Sequence, residues 1–368
     1  MRIQLFVSKL YGGGAERVAT LWANGFISRG HDVEIVVKTR SVSASYPLSD
    51  EVTLYNIWSN WKWFLKKYLN KGYSPIREIR KAVLNYKPDV IICVIQPWGE
   101  WVLTATHGMH IPIINTEHST FEKPDNAVYG QLTKKRLWWK YELNKKFDCV
   151  TVLTEADKVC TKGILSNVIV LPNPLAFTPA ESVPPKEKYI LAAGRLDVWH
   201  YKGFDILTVA WCGIAAKYPD WKLIFCGKDG NGAQDYLYSI AKEMNAQSQI
   251  EFWGFQDNML PIYEKSSIFV LSSRYEGFGM VLIEAMSQGC APIACDYKGR
   301  QSEIIKNENE GIICPTEDQQ ALANAISRLI EDETFRMTVQ KNAIERARHF
   351  ELNHIMDLWQ NIFEERLQ

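Results

Sequence analysis

The chain has 368 residues, of which 46% are hydrophobic and 23% charged, with 42 Lys and Arg against 42 Asp and Glu. This composition excludes a disordered chain, a collagen-like chain and a small disulfide-rich scaffold, and the zero net charge does not indicate nucleic-acid binding. The length predicts two domains.

The balanced charge conceals an asymmetry between the two halves. Residues 1–172 carry 23 Lys and Arg against 15 Asp and Glu, a net charge of +8, and the remainder carries 19 against 27, a net charge of −8. A basic half and an acidic half indicate two lobes with different partners, and chance variation is the alternative.

The cysteines and the hydropathy of the chain indicate the cellular compartment and the kind of membrane contact to expect. The eight cysteines form no C-x-x-C pair and most lie in apolar runs, which predicts buried free thiols in a reducing cytosol. No apolar run reaches the roughly 18 residues that a spanning helix needs, so we expect any membrane contact to be peripheral.

Strand and helix patterns alternate along the first half. The predicted strand Ile3 to Val7 leads into a glycine loop and then a helix with apolar residues at helical spacing, at Val18, Leu21, Trp22 and Phe26. Further strands are predicted at 33–37, 90–95, 112–117, 149–154 and 168–171. Most are continuous apolar runs, so the alternation predicts a parallel sheet covered by helices on both faces.

The proline-containing segment 172–188 separates a second half of the same kind. Its predicted strands are 189–193, 222–226, 250–253, 268–272, 291–295 and 311–314, with helices such as 204–217 and 234–244. We therefore predict an α/β protein with two doubly wound, Rossmann-like domains, residues 1–172 and 173–350, that face a cleft.

Two motifs follow predicted strands, where open α/β sheets bind ligands. Gly12-Gly13-Gly14 precedes a helix, where glycine permits close backbone approach and the helix start favours an anion; a tight turn without a ligand is the alternative. It matches neither the dinucleotide fingerprint nor the NTPase phosphate loop. Arg195 and Lys202 would stabilise a diphosphate leaving group, unless Arg195 pairs with Asp197.

The third motif runs from Arg274 to Glu284, after the predicted strand 268–272. Glu276 lies in a turn, glycines flank Phe278, and Glu284 follows about one turn into a helix. Two carboxylates in this arrangement can bind two hydroxyl clusters of one ligand. The alternative is a solvated surface pair, but an unpaired Glu284 within the apolar run 280–286 would be costly.

These residues resemble a known family. Glu276 to Glu284 is similar to the E-x7-E signature of retaining GT-B glycosyltransferases of family 4, also called group 1. The resemblance extends over nearly the whole chain through the segments GGGAERV, GHDVEIV, EHST, GRLD with KGFD, EGFGMVLIEAMSQG and the closing helix. It implies the GT-B fold, with helix 351–368 packing back onto the first domain.

The resemblance also implies roles for individual residues. Glu276 would bind hydroxyls of the donor sugar and Glu284 the donor ribose. The implied catalytic residues are Arg195, Lys202, Glu276 and His118, and the implied donor-binding residues are Gly13, Gly14, Trp253, Phe278, Gly279, Met280, Val281 and Glu284. For His118, which would face the sugar, a satisfied core histidine is the alternative.

The implied reaction is transfer, with retention, of a hexose or N-acetylhexosamine from a nucleotide diphosphate-sugar such as a UDP-sugar, without a metal or other cofactor. Arg195 and Lys202 would take the place of a metal ion. In the family mechanism the departing phosphate takes the acceptor proton during front-face attack, so Glu276 is not assigned as a nucleophile. The alternatives are a non-catalytic nucleotide-sugar-binding protein and a nucleotide-sugar epimerase of the same fold.

Two basic aromatic runs, 58–87 and 134–140, lie in the first half. Basic amphipathic helices with tryptophan bind anionic membrane interfaces, although an ordinary core-facing helix is the alternative. We therefore expect a cytoplasmic enzyme, peripheral on the inner face of the membrane, that acts on a lipid-linked sugar or glycan. It would be similar to bacterial enzymes that extend polyprenyl-diphosphate-linked glycans.

Overall fold

The computed structural model describes residues 1–39, 46–57, 75–94, 98–121 and 134–366, without the side chains of 134–136. Contacts divide the chain into two compact units. The N-terminal unit comprises Met1–Pro174 and Leu352–Gln368, and the C-terminal unit comprises Leu175–Glu351.

The described part of the N-terminal unit forms a parallel sheet, sheet A, in the order β3-β2-β1-β4-β5-β6-β7. Its strands are β1 (Arg2–Val7), β2 (Asp32–Val37), β3 (Thr53–Asn56), β4 (Val90–Val94), β5 (Ile113–Thr116), β6 (Cys149–Val152) and β7 (Val168–Val170). The helices are α1 (Gly14–Ser28), α2 (Pro75–Tyr86), α3 (Trp98–Ala105), α4 (Lys134–Tyr141) and α5 (Glu155–Cys160).

The C-terminal unit repeats this architecture as sheet B, in the parallel order β10-β9-β8-β11-β12-β13. Its strands are β8 (Glu187–Ala193), β9 (Lys222–Cys226), β10 (Ile250–Gly254), β11 (Ser266–Leu271), β12 (Ala291–Cys295) and β13 (Ile312–Cys314). The helices are α6 (Trp199–Lys202), α7 (Phe204–Cys212), α8 (Ala233–Glu243), α9 (Leu260–Lys265), α10 (Met280–Ser287), α11 (Gln319–Glu331) and α12 (Glu333–Ala347).

The closing helix, α13 (Leu352–Arg366), belongs to the N-terminal unit and packs against α1. Trp359 is fully buried, and its ring lies edge-on to those of Trp22 and Phe26, at 5.1 and 5.6 Å between centroids. These aromatic contacts anchor α13 to α1 through apolar burial and favourable ring geometry.

The predicted α/β class with two doubly wound parallel sheets is confirmed. The sequence pattern did not predict β3, because this short edge strand has no buried apolar run: Thr53 and Leu54 are exposed. Thr154, predicted as strand, instead caps α5, where its hydroxyl accepts a hydrogen bond from the Asp157 amide.

The cysteines are free thiols, as predicted, and seven of the eight are buried. Burial raises the pKa of Cys212 and of Cys290 to about 11, so these thiols are protonated at neutral pH. Within the described residues, no helix has both the length and the apolar sequence that crossing a membrane requires.

Candidate functional site

The second and third motifs meet at the carboxyl edge of sheet B. Arg195 follows β8 and Glu276 follows β11, and these two strands are neighbours in the sheet. Parallel strands present their carboxyl ends at one edge, which is where open α/β sheets bind ligands. Two segments some 80 residues apart in sequence are thereby brought together.

Lys202 and Glu276 form an ion pair at this edge. The Lys202 Nζ lies 2.7 Å from the Glu276 Oε2, and the side chains are 24% and 15% exposed. Ser273 also donates to the same carboxylate oxygen, at 3.4 Å. The partial burial strengthens the attraction relative to a surface pair, because the local dielectric constant is lower than that of water.

Arg274 ties the Glu276 turn to the segment that carries Lys202. Its guanidinium donates to both carboxylate oxygens of Asp205, at 2.7 and 2.8 Å, and to the His200 carbonyl at 2.7 Å. Its backbone amide donates to the Tyr201 carbonyl at 2.9 Å. Such bidentate pairs fix direction as well as distance, so Arg274 sets the position of α6 relative to the turn.

Gly203 permits a close approach between these two segments. It has φ +62°, and a Cβ at this position would lie 1.9 Å from the Ser272 carbonyl oxygen. The Ser272 hydroxyl in turn donates to the Lys202 carbonyl at 2.9 Å. Any side chain at residue 203 would therefore push Lys202 away from the strand end.

Arg195 forms an ion pair with Asp197, the alternative to a phosphate-binding role that the sequence left open. Its Nε and Nη2 donate to the two carboxylate oxygens of Asp197, at 3.0 and 2.7 Å. This hydrogen bond lowers the pKa of Asp197. The Arg195 side chain is 69% exposed, and exposed ion pairs contribute little free energy, so the guanidinium can exchange partners at small cost.

Glu284 is a buried carboxylate and not a surface residue. It is 2% exposed on α10, and the hydroxyl of the fully buried Tyr263 donates to its Oε2 at 3.1 Å. A buried carboxylate is costly unless hydrogen-bonded, so the Tyr263 contact helps to offset the loss of water.

The Phe278–Val281 segment forms the start of α10. Phe278 is buried and its ring packs against Phe350, at 5.6 Å between centroids. Gly279 is the residue before the helix and has φ +94°, a conformation that favours glycine. Met280 and Val281 are half-buried in the first turn, where backbone amides lack intrahelical acceptors and can bind an anion.

Trp253 lies on β10, an edge strand of sheet B. Its Nε1 donates to Glu251 at 2.8 Å, and its ring packs edge-on against Tyr189 at 5.5 Å between centroids. The family resemblance implies that Trp253 binds the donor. Its indole N–H is engaged within the sheet, so any base contact would use the ring or the backbone.

In the N-terminal unit, His118 lies just after β5. Its Nε2 is 2.9 Å from the Thr116 hydroxyl oxygen, and that hydroxyl donates to the Cys93 carbonyl. When the Thr116 hydroxyl donates to the Cys93 carbonyl, it accepts a hydrogen bond from a protonated Nε2 of His118. Burial lowers the pKa of His118 to about 4, so the ring is neutral at physiological pH.

The second ring nitrogen of His118, Nδ1, lacks a hydrogen bond of this kind among the described residues. The Asn173 side chain raises the pKa of His118, which partly opposes the lowering by burial. Among the described residues, neither His118 Nδ1 nor Asn173 Oδ1 makes a hydrogen bond of normal geometry. The Trp22 ring lies 5.4 Å away. His118 is thus held mainly by one hydroxyl and one aromatic ring.

The glycine loop begins α1. Gly13 precedes the helix without a side-chain cap, and Gly14 is its first residue. The Glu16 carboxylate lies over Gly13, so close that a Cβ there would be 2.0 Å from Glu16 Oε2. A carboxylate in the first turn is favoured by the helix dipole.

Comparisons with known proteins agree with this architecture. Residues 177–348 match the model described as "Glycosyl transferases group 1", and residues 12–176 match the model "Glycosyltransferase Family 4". The two matches together cover most of the chain. The chain belongs to this glycosyltransferase family.

A curated relative from Campylobacter jejuni is 28% identical over 99% of both chains; it is a GalNAc-alpha-(1->4)-GalNAc-alpha-(1->3)-diNAcBac-PP-undecaprenol alpha-1,4-N-acetyl-D-galactosaminyltransferase. Two solved structures share the fold. Sucrose-phosphate synthase from Thermosynechococcus elongatus has a TM-score of 0.80 at 21% identity, covering 99% of this chain and 98% of that one. Anabaena Alr3699/HepE in complex with UDP and glucose has a TM-score of 0.76 at 18% identity, covering 99% and 100%.

Several residues of this glycosyltransferase site were not found by sequence reasoning. Arg274 stood inside the third motif, but nothing in the sequence pairs it with Asp205. Tyr263 lies on α9, 21 residues before Glu284, with no motif around it. Among the described residues, no group of three or more His, Cys, Asp or Glu side chains is arranged to hold a metal ion.

Proposed function

We propose that the protein is a retaining glycosyltransferase that uses a nucleotide diphosphate-sugar without a metal ion. The observation that carries the proposal is the Lys202–Glu276 pair of 2.7 Å at the carboxyl edge of sheet B. In this proposal Lys202 binds the diphosphate and the neighbouring Glu276 carboxylate binds the sugar hydroxyls, which are adjacent groups in such a donor.

The proposed chemistry depends on stabilising the leaving group. Negative charge develops on the diphosphate as the glycosidic bond breaks, and fixed cations at that position lower the barrier. Lys202 is held in place by its own backbone contacts, and the exposed Arg195 can turn from Asp197 to the phosphates. The amides at the start of α10 would add further donors.

Glu276 is proposed to bind the donor sugar and Glu284 the ribose. A carboxylate accepts hydrogen bonds from hydroxyl groups, and both residues lie on the loop and helix that follow β11. We further propose that Gly13, Gly14 and His118 contact the donor, and that Trp253 lies near its base. His118, neutral at physiological pH, would act as a hydrogen-bonding group and not as a charge.

We propose a UDP-linked hexose or N-acetylhexosamine as donor and a lipid-linked sugar or glycan as acceptor. The name of the Campylobacter relative includes N-acetylgalactosaminyl transfer and a PP-undecaprenol acceptor, and the Anabaena structure contains UDP and glucose. These names support the proposed classes of donor and acceptor.

We also propose that the basic aromatic runs 58–87 and 134–140 hold the protein against an anionic membrane surface. Of the first run, 58–74 lie outside the described residues, and Arg80 donates to the Ala105 carbonyl at 2.7 Å. In the second run, Trp139 donates to Glu100 and Lys140 to the Thr120 carbonyl, while Trp138 is 39% exposed. Arg80, Trp139 and Lys140 thus make hydrogen bonds within the protein, whereas Arg77, Lys81 and Trp138 are exposed and accessible to an interface.

Product analysis tests the proposed activity. The protein is incubated with UDP-, GDP- and ADP-sugars and a lipid-linked acceptor extract, and products are read by mass. A new glycoside with the donor's anomeric configuration, formed in the presence of EDTA, is expected. An isomerised donor would indicate the epimerase, and binding without any product would indicate a non-catalytic nucleotide-sugar-binding protein.

Vesicle sedimentation tests the membrane contact. Each Lys or Arg near an anionic surface contributes about 1 kcal/mol, and the attraction falls off within about 8 Å at physiological salt. Replacing Lys62, Lys66 and Lys67 with Glu should release the protein from anionic vesicles. Wild-type protein that stays in the supernatant with anionic vesicles at low salt would contradict the peripheral location.

A further inference from the structure

We infer that Tyr263 is a positioning residue for nucleotide recognition, because it orients the carboxylate of Glu284 before the donor binds. The inference rests on the proposed function, in which Glu284 binds the ribose. The Tyr263 hydroxyl donates to Glu284 Oε2 at 3.1 Å, and the two residues are 0% and 2% exposed. A buried hydrogen bond of this kind restricts rotation of the carboxylate plane.

Tyr263 is itself held on three sides. Its ring packs edge-on against Phe269, at 6.1 Å between centroids, and against Phe177 at 6.1 Å. Its carbonyl accepts hydrogen bonds from Lys186 Nζ at 3.0 Å and from Cys290 Sγ at 3.1 Å. The phenol is therefore fixed by packing on β11 and by its own backbone contacts.

Lys186 connects the same tyrosine to the far end of α10. Its Nζ donates to the Gln288 carbonyl at 2.6 Å as well as to Tyr263, and Gln288 is the residue that ends the helix carrying Glu284. Burial lowers the pKa of Lys186. A cation beside the last carbonyls stabilises a helix C-terminus, so the partly buried Lys186 ammonium joins α9 to the end of α10.

These contacts give α10 a fixed carboxylate without any contribution from the ligand. If the ribose hydroxyls donate to Glu284, their affinity depends on how completely that carboxylate is oriented beforehand, because ordering a side chain on binding costs free energy. Loss of the Tyr263 hydroxyl should therefore weaken recognition of the ribose and leave recognition of the diphosphate unchanged.

The test compares UDP with 2′-deoxy-UDP and 3′-deoxy-UDP by calorimetric titration. Wild-type protein should bind UDP more tightly than at least one deoxy form. Tyr263→Phe keeps the ring and should weaken UDP binding about fivefold, within the range of coupling between contacting residues. It should also reduce the preference for the ribose form, and the double variant with Glu284→Gln should bind no worse than Glu284→Gln alone.

Tyr218→Phe is the matched control. The Tyr218 hydroxyl donates to Glu331 at 2.6 Å, so this variant also removes a tyrosine–glutamate hydrogen bond from the C-terminal unit, away from α10. It should leave both UDP affinity and ribose preference unchanged. Thermal unfolding of each variant shows whether a loss of affinity follows merely from a loss of stability.

The outcomes separate this inference from the proposed function. If Glu284→Gln abolishes the ribose preference and Tyr263→Phe preserves it, Tyr263 is structural and the inference is wrong. If Glu284→Gln itself preserves the ribose preference, or if wild-type protein binds no UDP, the proposed ribose and nucleotide assignments fail, and the inference fails with them.

Discussion

In the C-terminal unit, the loops at the carboxyl edge of sheet B hold charged side chains in pairs, whereas in the N-terminal unit the end of β5 holds its polar side chains through hydroxyl and amide groups. Lys202 with Glu276 is an example of the first arrangement. In the second, Asn144 donates to Glu117 at 2.8 Å, and Thr116 contacts His118.

The difference shows that burial, together with the presence or absence of a nearby carboxylate, determines whether a basic side chain is charged. A partly buried cation keeps its charge when a carboxylate lies within hydrogen-bonding distance, and it can later stabilise a phosphate. His118 has no such partner among the described residues, and burial leaves it neutral. We therefore expect electrostatic catalysis from the C-terminal unit and hydrogen bonding from the N-terminal unit.

Removing a cation from the carboxyl edge of sheet B should have the largest effect on turnover. Lys202→Ala should lower turnover by roughly 10²–10³, the scale seen when one electrostatic stabiliser of a transition state is removed. Arg195→Ala should act in the same direction but less, because this side chain is far more exposed. Steady-state kinetics with the identified donor measure both.

Lys222→Ala provides the control for Lys202→Ala. Lys222 also pairs with a glutamate, Glu251, but it lies at the start of β9, away from the carboxyl edge. Its removal should leave turnover near the wild-type value. Near-normal turnover in Lys202→Ala as well would remove the proposed role of the pair.

The two carboxylates of the third motif should separate in binding experiments. Glu284→Gln should weaken binding of the free nucleoside diphosphate about tenfold, the scale of a lost hydrogen bond to a charged group. Glu276→Gln should leave that binding nearly intact and depress transfer, because its proposed partner is the sugar. Calorimetry with UDP measures the first effect and turnover the second; the reverse pattern would exchange the two assignments.

The neutral state of the buried His118 ring can be tested through the pH dependence of the free energy of unfolding. The pKa of His118 is lowered in the fold, so its stabilising contribution is present above the unfolded value of about 6.5 and is lost as the pH falls toward 4. Between pH 7 and pH 4, the free energy of unfolding should fall by about 1–3 kcal/mol less in His118→Gln than in the wild type. Urea unfolding at the two pH values measures this, and equal losses would mean that His118 is not buried neutral.

The buried acid Glu34 offers the smallest effect. Gln4 Nε2 donates to Glu34 at 2.6 Å, Gln4 Oε1 has no partner among the described residues, and burial raises the pKa of Glu34. Glu34→Gln removes the buried charge and offers a donor to Gln4. It should raise the unfolding free energy at pH 7 by about 0.5–1 kcal/mol.

The sign of that gain follows from the raised pKa. Wild-type protein loses stability as the pH rises through the unfolded value of about 4.5 toward the folded one, so the advantage of Glu34→Gln should shrink on acidification. An advantage that is constant from pH 4 to pH 7 would show that hydrogen bonding, and not charge, is responsible.

Sequence reasoning found the fold and part of the site. Apolar runs identified every described strand except β3, which is too exposed to leave a hydrophobic pattern. Lys202 and Glu276 were recognisable because each stands in a glycine-containing motif after a strand. Arg274 and Tyr263 could not be assigned roles, because their partners lie far away in sequence and only packing brings them together.

The sequence by itself determined two doubly wound parallel sheets, since the alternation of apolar strands and amphipathic helices leaves few other ways to bury the apolar surface. It also determined which loops carry the functional groups. Only the tertiary structure decided the state of each group. Pairing with Glu276 holds Lys202, exposure leaves Arg195 with Asp197, burial makes His118 neutral, and Tyr263 orients Glu284. Charge and orientation depend on distance and solvent access, which are properties of the packed chain.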